Sequence, residues 1–120
     1  MAAVMTVVLA APATAADSQV RVRSVELSRG TVVLDVRLSC DGGGVMRWAV
    51  ALGQGDRSDA VRGRLRCSGK AQRKLLTLVP ERGRFHPGEA VLTYGAIGPC
   101  RADVCLGWGT AERLALSYRH

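Results

Sequence analysis

The sequence predicts an all-β chain, an immunoglobulin-like antiparallel β-sandwich of about seven strands with two disulfides. Three observations carry that prediction. Apolar residues recur at period two in successive short runs, and no run sustains a helical period. The 14 glycines supply the breaks between runs. The four cysteines, Cys40, Cys67, Cys100 and Cys105, are an even set with no Cys-x2-Cys pair among them.

The strand that anchors the rest is Thr31 to Cys40, where Val32, Leu34, Val36, Leu38 and Cys40 share one phase. Before it, Gln19 to Leu27 alternates with Val20 and Val22 in phase, then continues with Val25 and Leu27 out of phase, as a bulge near Ser24 would produce. Ser28-Arg29-Gly30 turns one strand into the next and makes them a hairpin. After Asp41-Gly42-Gly43-Gly44, a third strand runs from Val45 to Leu52 with Met46, Trp48, Val50 and Leu52 inward. Gly53 to Asp59 reads as a polar loop. A fourth strand follows, with Val61, Gly63, Leu65 and Cys67 inward and Arg62, Arg64 and Arg66 outward.

Ala71 to Val79 is a fifth strand whose phase is contested, because Leu75 and Val79 compete with Leu76 and Leu78; the second pair is taken as inward. Pro80 to Gly88 is a loop with Phe85 as a plug. Ala90, Leu92 and Tyr94 alternate in a sixth strand that reaches Gly98-Pro99. The seventh is expected at Leu114, Leu116 and Tyr118, alternating with Arg113, Ala115, Ser117 and Arg119 to the C-terminus.

Residues 1–16 carry no charge, hold an apolar run from Ala2 to Ala11, and end in Ala13-Thr14-Ala15 after Pro12. No basic residue precedes the run, but its length and small-residue end fit a cleaved secretory signal. A spanning helix needs about 20 apolar residues. The expectation is cleavage before Ala16 or Asp17, with residues 17–120 forming one secreted sandwich domain that has no transmembrane segment.

Export means oxidising conditions, so the cysteines are read as disulfides rather than a metal site. In strand order, the second and fifth strands are neighbours in one sheet, which brings the end of one, Cys40, beside the start of the other, just after Cys67. The sixth and seventh form a hairpin clipped by Cys100 and Cys105. On loop entropy the long staple contributes about 3.5 kcal/mol and the short clip about 2 kcal/mol.

Catalysis finds little here. His86 sits in a Pro/Gly loop, His120 is the last residue, and neither accompanies a Gly-x-Ser-x-Gly elbow. The ten acids are scattered among arginines without a close pair. No pattern asks for a cofactor or metal, so the chain is expected to be non-enzymatic.

The net charge is +7, from 15 arginines and only two lysines, Lys70 and Lys74. Arg62, Arg64 and Arg66 project from one strand face about 7 Å apart, with Arg37, Arg47 and Arg73 expected nearby. Such a face either is simply solvated, guarding a sheet edge, or meets an anionic partner such as a cell-wall polymer or an acidic lipid headgroup. Another extracellular protein is a further candidate partner. Nucleic acid fits poorly, since the five aromatics lie mostly in core phase and leave no stacking platform. Trp108, flanked by Gly107 and Gly109, either lines a groove or covers the open end of the core.

The chain resembles small secreted actinomycete domains of unknown function. The shared motifs are Gly30 to Cys40, Cys67-Ser68-Gly69, Phe85-His86-Pro87-Gly88, and the pair Cys100 and Cys105. That resemblance implies fold and secretion. Gly30-Thr31-Val32-Val33 and the Cys-x4-Cys clip are also similar to the enediyne-chromophore apoproteins of the neocarzinostatin type, which implies a small apolar ligand in a cleft. In that family the other disulfide closes a short loop, whereas Cys40 and Cys67 are far apart. In size and cysteine count the chain is similar to secreted subtilisin inhibitors, which implies a protease-facing role for Arg101. The expected function is a secreted binding or envelope-associated module, with a ligand carrier as the alternative and an inhibitor third.

Overall fold

Alternation decides which side of each strand is buried. In the computed structural model, which describes residues 18–118, β2 (Thr31–Cys40) turns Val32, Leu34, Val36, Leu38 and Cys40 inward. β3 (Val45–Gln54) does the same with Met46, Trp48, Val50 and Leu52. Each fully buried Val or Leu is worth about 1.5–3 kcal/mol, and these two apolar ladders face each other at the centre of one shared core.

β1 (Ser18–Ser28) pairs with β2, and the register shifts between Val22 and Ser24 so that Arg23 is left over. That bulge lets Val20 on one side and Leu27 on the other both reach the core. The remaining strands are β4 (Arg57–Arg66), β5 (Gln72–Leu78), β6 (Gly88–Ile97) and β7 (Gly107–Leu116). β1-β2-β5 make one antiparallel sheet and β4-β3-β6-β7 the other, with the apolar faces together and no helix among the described residues. No described helix is therefore long and apolar enough to cross a membrane.

Immunoglobulin constant domains place the fourth strand with the first two. Here β4 stays beside β3, because only Gly55 and Asp56 separate the paired residues Gln54 and Arg57. Gly55 has φ 62°, the left-handed geometry that a two-residue hairpin demands at its first central position. The polar stretch Gly53 to Asp59 is thus not the loop its composition suggests. Ser58 sits on the outer face of an edge strand, where a polar side chain stays solvated, and Asp59 accepts the Val79 N–H at 2.9 Å.

β5 buries Leu76 and Leu78 and exposes Leu75 and Val79. Phe85 plugs one end of the core completely, and its N–H donates to the Gly30 carbonyl at 2.9 Å. The Gln54 amide clasps the backbone of the next residue: it donates to the His86 carbonyl at 2.7 Å and accepts the His86 N–H at 2.8 Å. The disulfides join Cys40 to Cys67 and Cys100 to Cys105, as the strand order requires.

The seventh strand departs from expectation. β7 starts at Gly107 and ends at Leu116, and Tyr118 stands outside it, 47% exposed, forming an isolated bridge with Leu27. Leu27 offers Tyr118 a backbone partner on the other sheet, so the chain leaves β6's edge there. Arg119 and the leader expected over residues 1–16 lie outside the described residues.

Trp48 is buried across from Gly63 on β4. A Cβ built on Gly63 would lie 2.6 Å from Trp48 Cζ2 and 2.9 Å from Cε2. The ring has no room to retreat inside a filled core. Gly63→Ala should therefore lower stability by about 1–3 kcal/mol, read as a fall in the urea midpoint with an unchanged far-ultraviolet spectrum below the transition.

Candidate functional site

β3 is one of the two inner strands of its sheet, and its outward residues Arg47, Ala49 and Ala51 lie on the face away from the core. Register sets Ala49 between Arg62 and Gly95, and Ala51 between Ala60 and Thr93. The middle of this face is consequently a patch of methyl groups and bare backbone. Arg62 and Arg64 rise beside it on β4, and Arg47 stands directly opposite Arg64.

The other flank is β7, which bends close over β6. A Cβ on Gly95 would collide with the Trp108 carbonyl oxygen and lie 2.9 Å from Gly109 Cα. Only glycine permits that approach. Between these flanks lies an open trough of about 760 Å³, floored by Ala49, Ala51 and Gly95 and walled by Arg47, Arg62 and Arg64.

Electrostatically the trough is one-sided, since no Asp or Glu lines it. Like charges placed opposite each other on neighbouring strands repel. Ion pairs join Arg57 to Asp56 and Arg73 to Asp35, and among the described residues none involves Arg47, Arg62 or Arg64. Their field is directed at whatever occupies the trough. A second hollow of about 700 Å³ lies by the Gly55 hairpin, but it mixes Asp56, Asp59 and Glu81 with Arg57 and Arg82. Both signs are present there: Arg57 pairs with Asp56 at 3.7 Å, and Asp59 accepts the Val79 N–H.

Arg62 and Arg64 line the trough, whereas Arg66, opposite Val45, lies outside it. Arg47 joins them. Arg37 and Arg73 do not: they face each other across β2 and β5, on the outside of the opposite sheet. Strand phase says which residues point outward, but not which sheet a strand belongs to. Trp108 belongs to β7, half-buried, with its indole N–H donating to Ser18 Oγ at 3.0 Å. Its ring meets Tyr94 edge-on at 6.3 Å between centroids. It ties the two sheets together at the end of the core and borders the trough as well.

The Cys100–Cys105 clip holds a two-residue turn. Arg101 and Val104 exchange backbone hydrogen bonds of 2.8 and 2.9 Å, with Ala102 and Asp103 between them at φ 51° and 66°. The Arg101 guanidinium folds back onto the chain and donates to the Asp41 and Gly42 carbonyls at 3.0 and 3.1 Å. A protease-facing residue would instead stand on an extended loop.

No group of three or more His, Cys, Asp or Glu placed to hold a metal ion occurs among the described residues. Comparison with known proteins finds no matching family model, no matching curated protein and no matching solved structure.

Left-handed backbone costs an L-residue about 1–2 kcal/mol, partly offset in glycine by its freer unfolded chain. Ala102→Gly should accordingly raise stability by about 0.5–1 kcal/mol in urea unfolding. The Tyr94 phenol is held above its ordinary value of 10.0, first by burial and then by the Glu112 carboxylate. The fold keeps a proton there that the unfolded chain releases near 10.0. The stabilisation is complete below that pH and is lost as pH rises through the elevated folded value. Absorbance titration should show a late-ionising phenol that disappears in Tyr94→Phe and moves down in Glu112→Gln.

Proposed function

We propose that this chain is a non-catalytic extracellular binding module whose trough holds a flat, apolar small molecule bearing an acidic group. The observation that carries this reading is the pairing of a floor of Ala49, Ala51 and Gly95 with a wall of three arginines that have no carboxylate partner. A flat apolar body would cover the methyl floor and displace water from it. A carboxylate, sulfonate or phosphate would accept paired hydrogen bonds from guanidinium groups already facing it.

The volume of about 760 Å³ falls within the range of about 300–1,000 Å³ typical of small-molecule sites. That favours a carrier, as the chromoprotein likeness implies, and the arginines add an anionic requirement to it. Two disulfides among the described residues suit an oxidising, extracellular setting. The inhibitor reading loses its main support, since Arg101 spends its guanidinium on the Asp41 and Gly42 carbonyls.

Anilinonaphthalene sulfonate has the required shape and charge and becomes fluorescent when its rings leave water. The folded protein should bind it in a saturable manner at a single site. Arg62→Ser with Arg64→Ser should weaken binding at least about tenfold, since each charge-assisted hydrogen bond contributes about 1.5–3 kcal/mol. Ala49→Phe, which fills the floor from an exposed position, should abolish it. Unchanged binding in both variants would rule the trough out.

A further inference from the structure

Charge is divided along the length of the sandwich. Arg21, Arg37 and Arg73 stand in one row across β1, β2 and β5. On the other sheet Arg47 faces Arg64, and Arg66 ends β4. Both clusters lie toward the end that holds the two disulfides. There the Cys67 N–H donates to the Gly44 carbonyl at 2.9 Å, and Arg101 reaches the Asp41 and Gly42 carbonyls.

Acidic groups gather elsewhere. Among the described residues only Asp41 and Asp103 lie at the disulfide end, and Asp35, near mid-length, is engaged by Arg73 at 3.0 Å. Glu26, Asp56, Asp59, Glu81, Glu89 and Glu112 occupy the half that carries the Gly55 hairpin.

The basic end also exposes aliphatic side chains. Val45 is 47% exposed, Ile97 54%, Val104 55% and Leu106 51%. Val45 stands opposite Arg66 and Ile97 opposite Arg47, so apolar and cationic groups alternate on one surface. A solvated polyanion would use the arginines and leave these aliphatics in water. A bilayer interface accommodates both, since aliphatic tips enter the acyl boundary while guanidinium groups stay among phosphates.

We propose that the disulfide end is a docking surface for an anionic lipid bilayer. The charge complementarity is that of basic side chains near an acidic leaflet, and the exposed aliphatics supply the reason for lipid rather than soluble polymer. This does not depend on the proposed ligand: Arg66, Val104 and Leu106 lie outside the trough.

Vesicle cosedimentation of the full chain tests it, with phosphatidylglycerol in phosphatidylcholine compared with phosphatidylcholine alone. The protein should partition onto the acidic vesicles, hardly onto the neutral ones, and come off as salt is raised. Each basic side chain near an anionic surface is worth about a fivefold change in partitioning. Arg37→Ser with Arg66→Ser should therefore lower partitioning at least about tenfold. Val104→Ser with Leu106→Ser should lower it by a similar factor while leaving anilinonaphthalene sulfonate binding intact. Partitioning unchanged in both double variants would overturn the proposal. So would a soluble polyphosphate that binds as tightly as the vesicles and is indifferent to the Val104 and Leu106 changes, since the partner would then be a polymer.

Discussion

β3 is hydrogen-bonded on both sides, and the rest of the molecule depends on what its alternation does to its two faces. Its even-numbered residues, from Met46 to Leu52, close the core against β2. Its odd-numbered residues cannot be shielded by a further layer, because nothing covers that side of the sheet among the described residues. Had Ala49 and Ala51 been long polar side chains, the outer face would be an ordinary solvated surface. Two methyl groups there turn the same strand into a floor, and a one-residue slip would destroy core and floor together.

Much of the fold was legible in the sequence for the same reason. Period-two burial is a local property, so the phases of β2 and β3 could be read from Val32 or Met46 without knowing what lay opposite, whereas β5, with apolar residues in both phases at Leu75 and Leu76, was decided only by the sheet it packs on. The disulfides followed because antiparallel order places Cys40 beside Cys67 and Cys100 beside Cys105. The hairpin at Gly55 was missed because Arg57, Ser58 and Asp59 look like a loop, although an edge strand can carry polar residues on its solvated side. β7 was placed too late because Gly107-Trp108-Gly109 lacks strand propensity, and the residue that must be glycine for the two strands to approach is Gly95 on β6.

The trough was less legible than the arginines around it. Ala49, Ala51, Ala60 and Gly95 come from three strands, and small residues give no signal until register sets them side by side. The one hint was alanine recurring in the outward phase of β3, where a charged or hydroxyl side chain would be ordinary. The location of Arg37 and Arg73 was illegible for a different reason. Facing outward is a matter of phase, but facing outward on the same sheet is a matter of topology.

Trp48 and Trp108 are the protein's two tryptophans, and both border the same hollow. One lies under the sheet against Gly63, and the other is pinned to Ser18 at its rim. Their ultraviolet emission is accordingly an internal gauge. An occupant would alter the polarity around both indoles at once, while detachment of β1 from β7 would disturb the rim indole alone, so filling and fraying leave different spectral signatures.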